Sequence, residues 1–339
     1  MSSALGVYFL DVGQGDCSFV VPPGGGSAVL FDCNDAHVAD RFVVDHGITH
    51  LSAAVVSHLD VDHIRGVLPF LEGFLARGGK VDELYIGMDG DPNERTMREA
   101  CTALLDKAFA WERDDKLVLC SPTRESKPKV VCSGAGWSVD VVLPYYGKQL
   151  KAIVDGEQPN ECSAVLRATC GGIAVLIGGD APLSSWSRLD DGLVKARVVR
   201  APHHGGEIRS GDDDFRDLYE RVEAELSVFS VGTNNRWGHP FEDHVHAAHR
   251  AGSCRVLCTQ LTPRCHERPE ERLTQGLART GEVTYAYRHH VKRSADTVEV
   301  PCAGSIALTL DGAGGYSVAP ARYGWHDAFV AKLDQPMCL

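Results

Sequence analysis

Ser57-His58-Leu59-Asp60-Val61-Asp62-His63-Ile64-Arg65-Gly66 follows the apolar run Ala53–Val56 and opens the helix-like stretch Asp62–Ala76. Four side chains able to bind a metal, His58, Asp60, Asp62 and His63, fall within six residues of this junction. A strand would splay them to opposite faces, whereas a tight turn can converge them on an ion. Asp62 is also well placed to cap a helix. A cap with incidental histidines accounts poorly for two His and two Asp at this density.

Upstream, short apolar runs at Val7–Leu10, Cys17–Val21 and Ala28–Phe31 are separated by Gly/Pro turns, and they predict a β-meander. Downstream the pattern alternates. Strand-like Glu83–Ile86 precedes helix-like Glu94–Ala110, and short strands follow near Leu117–Cys120, Val130–Cys132 and Trp137–Leu143. A polar loop around Lys148–Asn160 separates two halves. The second half reads as strands Ser163–Thr169 and Ile173–Ile177, a helix from Pro182, and a strand at Ala196–Val199. It continues with helix Asp213–Glu223, strand Leu226–Val231, helix Asp243–Ala251 and strand Arg255–Cys258. Strands followed by strand–helix alternation, twice over, predict an α/β fold of two packed sheets with helices outside. Residues 1–260 read as one domain, and 261–339 as an α+β extension packed on it.

Three further segments follow apolar strands: Ile177-Gly178-Gly179-Asp180, Ala201-Pro202-His203-His204-Gly205-Gly206, and Val231 through Thr233-Asn234-Asn235-Arg236-Trp237-Gly238-His239-Pro240. Each alone could be a polar surface turn. In layered α/β proteins the loops at one sheet edge gather into one site, which links them to His58–His63.

The 339 residues, 44% hydrophobic, suffice for a large core. No run approaches the roughly 18–20 apolar residues of a membrane span, and the N-terminal stretch lacks a basic n-region, so a cytoplasmic protein without a membrane is expected. The 12 cysteines are scattered without a C-x-x-C pair and read as buried thiols. Cys258, Cys265, His266 and Cys302 are retained as a candidate third, structural zinc site, although their spacing matches no standard finger. The remaining histidines, His244, His289, His290 and His326 among them, read most simply as surface or helix-face residues, with approach of His244 and His246 to the site as the alternative, since they follow His239 closely. A net charge of −12 argues against generic capture of nucleic acid, but metal-binding carboxylates inflate that count.

With these pieces in order, the chain resembles the metallo-β-lactamase superfamily, and more narrowly the hydrolase domain of ComEC-type DNA-uptake proteins and their soluble relatives. The resemblance is carried by Phe9-Leu10-Asp11-Val12-Gly13-Gln14-Gly15-Asp16, Leu30-Phe31-Asp32, His58–Gly66, Asn160 with Ser163–Leu166, Gly179-Asp180, Pro202–Gly205 and Asn234–Pro240. It covers roughly residues 5–260. It implies a four-layer αββα sandwich with two divalent ions, zinc or manganese, between the sheets. His58 and Asp60 would hold one ion and Asp62 and His63 the other, with Asp180 bridging. Either His203 or His204 would complete the second position, and Asp32 would support the ligands from behind. Asn160 stands near the place where the superfamily usually has a further His, so the first position is expected to be oxygen-rich and to favour a harder ion.

The chemistry expected from such a centre is phosphodiester hydrolysis. Asp62 and Asp180 would hold the attacking water, His239 would protonate the leaving oxygen, and Asn160, Asn234, Asn235 and Arg236 would bind substrate. Nucleic acid is the expected substrate. Hydrolysis of a small ester, lactone or nucleotide signal is the alternative, since one scaffold hosts many reactions. A third expectation is an effector subunit working with protein partners in a larger, phage-defence-like assembly.

Overall fold

A computed structural model describes residues 4–87, 95–155, 159–211, 213–251, 254–269, 292–294, 297–319 and 323–338. The first sheet is built from β1 (Leu5–Phe9), β2 (Cys17–Val21), β3 (Ser27–Cys33), β4 (His50–Val56), β5 (Lys80–Ile86) and β6 (Val118–Cys120). The second contains β7 (Lys129–Gly134), β8 (Trp137–Leu143), β9 (Val165–Cys170), β10 (Ile173–Ile177), β11 (Val198–Arg200), β12 (Leu226–Phe229) and β13 (Arg255–Cys258). A small pair, β14 (Lys292–Ser294) and β15 (Thr297–Val298), stands apart. The chain then returns to the first sheet as β16 (Ile306–Leu310) and β17 (Tyr316–Ala319).

Strand order is β17-β16-β1-β2-β3-β4-β5-β6 in the first sheet and β13-β12-β11-β10-β9-β8-β7 in the second. Strands β3 to β6 run parallel, as do β10 to β13. The alternation along each strand explains the layering. Ala53 and Val55 of β4 pack with Val175 and Ile177 of β10 between the sheets. Ala54 and Val56 face outward to Phe42, Phe70 and Trp111 on the helices Ala36–Asp45, Val67–Ala76 and Arg95–Arg113. On the other side, Ala174 and Leu176 meet Trp186, Leu218, Tyr219 and Val245 from the second set of helices. Strands covered on both faces read as continuous apolar runs, which is why β4 and β10 stood out in the sequence. The result is the expected four-layer αββα sandwich.

Several sequence expectations are corrected. The single helix Asp62–Ala76 is two, Val61–Ile64 and Val67–Ala76, interrupted at Gly66. Its N–H donates to Cys33 O at 2.7 Å, and a Cβ there would lie 2.8 Å from that same oxygen. The polar loop around Lys148–Asn160 contains the helix Tyr146–Asp155. Helix Ala36–Asp45, capped by the Asp35 side chain, is one that the sequence reading lacked. Beyond residue 260 the chain is woven into the first sheet, since β16 lies against β1 with Leu5 paired to Leu310 and Phe9 to Ile306. A cut at 260 would strip β1 of that neighbour. Among the described residues no helix is long and apolar enough to cross a membrane.

Candidate metal centre

The C-terminal ends of the parallel strands meet along one edge of the sandwich. There β3 delivers Asp32, β4 delivers Ser57 and His58, β10 delivers Asp180, and β11 leads into His203 and His204. His58, His63 and His204 are essentially inaccessible, with relative exposures of 0%, 0% and 1%.

Each ring is anchored through Nδ1. His63 Nδ1 lies 2.8 Å from Asp32 Oδ2, and His204 Nδ1 lies 2.9 Å from the Ser230 carbonyl. His203 Nδ1 lies 2.8 Å from the Glu207 carbonyl. His58 Nδ1 lies 2.9 Å from Ser57 Oγ, whose own proton goes to Asp32 Oδ2 at 2.7 Å. An acceptor at Nδ1 places the proton there and leaves the Nε2 lone pair facing inward, the tautomer a metal ligand needs. The Nε2 atoms converge on one carboxylate. Asp180 Oδ1 is 3.2 Å from His63 Nε2 and 3.9 Å from His204 Nε2. Its Oδ2 is 3.7 Å from both His58 Nε2 and His203 Nε2. Asp60 Oδ2 stands 3.4 Å from His58 Nε2, and Asp62 Oδ2 stands 3.3 Å from His204 Nε2.

The group fits divalent cations. His58 Nε2, His63 Nε2, His204 Nε2 and Asp180 Oδ1 are buried atoms that no hydrogen bond satisfies, an arrangement costly without a bound partner. Asp16, Asp32, Asp60, Asp62 and Asp180 carry five negative charges against the single guanidinium of Arg200. The remaining four negative charges are what two divalent ions neutralise. The titration behaviour points the same way. Burial works against a charged His63, yet Asp180 and Asp32 outweigh it and push its pKa well above the usual value. Burial likewise opposes ionisation of Asp180, but His63, His204 and His203 hold it well below the ordinary carboxylate range. The centre calls for positive charge.

Two residues of the centre were missed in the sequence. Asp16 and Arg200 form an ion pair, 1% and 0% exposed. Asp16 also approaches His63 Nδ1 at 3.5 Å and His204 Nδ1 at 3.7 Å, so it lies behind both rings, on the side away from Asp180. Asp16, His63, Asp180 and His204 are the one group of at least three donor side chains converging within 4.8 Å among the described residues. We place Asp16 as a support for the rings, because its contacts are to the Nδ1 atoms. The signal for Arg200 was available: a cation terminating the buried strand Val198-Val199 needs an anionic partner.

The other candidates lie on the turn Pro159–Cys162 and on the loop after β12. Asn160 sits in the turn Pro159–Cys162, where its carbonyl accepts from Ser163 N at 3.1 Å. Asn235 is occupied in its own loop, where Nδ2 donates to the Gly232 and His239 carbonyls and Oδ1 accepts from His239 N at 2.7 Å. It therefore pins His239 and has no amide donor left over for substrate. Asn234 and Arg236 are exposed at the rim, with Arg236 over the Trp237 ring at 4.5 Å. The His239 ring is buried, 5.3 Å from that of His203. Burial, followed by His204 and His203, lowers its pKa to about 4.

Cys258, Cys265, His266 and Cys302 are all buried, but they do not form a converging group of donors. His266 Nδ1 instead meets Asp334 at 2.6 Å, and Cys302 Sγ lies 3.5 Å from His326 Nε2. His244 and His326, expected at the surface or on a helix face, lie on helices but are buried at 0% and 4% exposure; His289 and His290 lie outside the described residues.

The chain is similar to several known proteins. Residues 10–124 match the family model of the metallo-beta-lactamase superfamily. The chain is 24% identical over 280 residues to ComE operon protein 3 of Bacillus subtilis (strain 168), an alignment covering 76% of this chain. It spans 32% of that relative's length. Among solved structures, the chain is similar to the metallo-beta-lactamase fold protein YhfI from Bacillus subtilis, with 10% identity, TM-score 0.46, and coverage of 76% of this chain and 96% of the other. It is also similar to human tRNase Z, short form, with 14% identity, TM-score 0.41, and coverage of 67% and 92%. A third is zinc-bound PqqB from Methylobacterium extorquens, with 11% identity, TM-score 0.42, and coverage of 75% and 96%. Over residues 10–124 the chain thus resembles the metallo-beta-lactamase superfamily, and its two stacked sheets with helices outside form an αββα sandwich.

Proposed function

We propose that the chain is a metal-dependent phosphodiesterase whose substrate is nucleic acid. The observation that carries this reading is Asp180, which turns one oxygen toward His63 and His204 and the other toward His58 and His203. Two divalent ions, zinc or manganese, would be held by His58, Asp60, Asp62, His63, Asp180 and the His203-His204 pair, and would supply Lewis acidity to phosphodiester oxygens and a water activated for attack at neutral pH. The protein's own part is positional. Asp62 and Asp180 would hold the attacking water. His239, held by Asn235 beside His203, is neutral near pH 7, so it would first take a proton from the attacking water and then pass that proton to the leaving oxygen. Arg236 and Asn234, exposed on the same loop, supply the charge and the donors for a phosphate.

The net charge of −12 favours one further reading, a small ester, lactone or nucleotide as substrate, because an acidic surface repels a polyanion. Work beside protein partners, as an effector in a larger assembly, is compatible with either substrate.

The test is cleavage of single- and double-stranded DNA and RNA with Mn²⁺, Mg²⁺ or Zn²⁺, run beside an Asp62→Ala/His63→Ala variant. Metal-dependent cutting that the variant lacks is expected. Absence of cutting by metal-loaded protein, with hydrolysis of a small ester instead, would transfer the assignment to the second reading.

A further inference from the structure

The sequence leaves the first metal position one nitrogen short, because Asn160 stands where a third histidine would be expected. The loop after β11 changes that count. His203 and His204 are adjacent, and both adopt left-handed backbone angles, with φ of 53° at each. Two consecutive non-glycine residues in this region cost on the order of 1–2 kcal/mol apiece and persist only where the surroundings enforce them. Here they are enforced. His203 N donates to Gly179 O at 2.9 Å, which ties the loop to the residue preceding Asp180, and Gly206 N donates back to His203 O at 2.6 Å. In this bent loop the two neighbouring rings reach different oxygens of one carboxylate. His204 Nε2 faces Asp180 Oδ1, shared with His63, whereas His203 Nε2 faces Oδ2, shared with His58.

We infer that His203 and His204 serve different ions, His204 completing the position of Asp62 and His63, and His203 completing the position of His58 and Asp60. The inference rests on the dinuclear-hydrolase reading and goes beyond it in assigning the ligands. Each position then offers two imidazole nitrogens, one carboxylate of its own and one oxygen of Asp180; His63, His204 and Asp180 already converge within 4.8 Å, whereas the donors of the first position would close in on binding their ion. The first position is therefore not the oxygen-rich one expected from the sequence. Two matched nitrogen–oxygen sets favour zinc over manganese at both positions, by the ordinary affinity order of divalent metals. His203 differs in being 27% exposed, so its ion lies nearer the solvent and is the one that a small ligand can reach.

Zinc stoichiometry tests this without any substrate. Chelator-treated protein is dialysed against micromolar Zn²⁺, and bound metal is counted per chain by elemental analysis. Wild type should hold two ions; His203→Ala and Asp60→Asn should each hold one, and so should the pair combined, because both act on the same ion. His204→Ala combined with Asp60→Asn should hold none. Free imidazole should restore the second ion to His203→Ala, whose truncated side chain faces solvent, which separates ligand loss from misfolding. Two ions retained by His203→Ala would overturn the assignment. So would loss of both ions in His203→Ala combined with Asp60→Asn, or a His203→Ala deficit that imidazole does not repair. Because only metal is read, a protein that binds both ions and cuts no nucleic acid would refute the proposed activity and leave this assignment standing.

Discussion

Replacing Arg200 with Met should destabilise the protein by about 3–5 kcal/mol near neutral pH, and the loss should shrink as the pH is lowered. Arg200 is fully buried and pairs with Asp16, and it also donates to Gly179 O at 3.2 Å and approaches Ser230 Oγ at 3.4 Å. Removing one partner of a buried pair strands the other charge, and such breaks cost about 3–5 kcal/mol. For a 339-residue chain the unfolding entropy is about 0.7 kcal/mol per kelvin, so the melting midpoint should fall by about 4–7 °C. The pH dependence follows from Asp16. Burial already raises its pKa despite the opposing pull of Arg200, and loss of the guanidinium raises it further. A carboxyl with a raised folded pKa contributes its stability below the unfolded value, and that contribution fades as pH rises through the folded value. The gap between wild type and variant should therefore widen as the pH rises through the wild-type folded value of Asp16, itself above the ordinary carboxylate range, toward the still higher value in the variant. Thermal melts from pH 4 to 8 with chelator present measure it free of ion release. Asp16→Asn combined with Arg200→Met should cost clearly less than the two single changes together. A penalty below about 1 kcal/mol that is independent of pH, or strict additivity of the two changes, would refute the pairing as described.

Three further outcomes are expected. His244 is stacked on Phe215 at 4.2 Å, and burial lowers its pKa to about 3, so the fold binds fewer protons there than the unfolded chain does. Its share of stability is present above about pH 6.5 and lost as pH falls toward 3, with an upper bound of about 5 kcal/mol; an NMR titration showing a ring that protonates near 6.5 in the folded protein would contradict this. Gly15→Ala should lower metal affinity and stability together, because a Cβ there would lie 2.4 Å from the Asp62 carbonyl and 2.5 Å from the Asn34 amide, at a φ of +132°; zinc titration and melting would both have to be unchanged for the close approach to be unimportant. Asp32→Asn should weaken zinc binding by about 10–100-fold, the usual effect of removing the partner that orients a histidine ligand, and competition with a chromophoric chelator reads it directly.

The sequence exposed the parts of this molecule whose signal is local. His58–His63 was legible because four donors crowd a strand end, and β4 and β10 because strands buried on both faces are largely apolar. What stayed hidden depends on partners remote in the chain. Nothing near Ile306–Leu310 announces that it pairs with Leu5–Phe9. Asp16 and Arg200 are 184 positions apart and meet only once the two sheets are stacked. The roles of His203 and His204 could not be separated by order alone, since their backbone conformation decides which oxygen each reaches. His244 looked like a surface residue because its helix, Glu242–Arg250, is largely polar, yet Phe215, Tyr219 and Phe229 enclose its ring.

The most direct measurement is anomalous diffraction at the zinc edge from crystals of the zinc-loaded protein. The account predicts two peaks flanking the Asp180 carboxylate, one bounded by His58, Asp60 and His203 and the other by Asp62, His63 and His204. A single peak, or a pair of peaks away from Asp180, would contradict it.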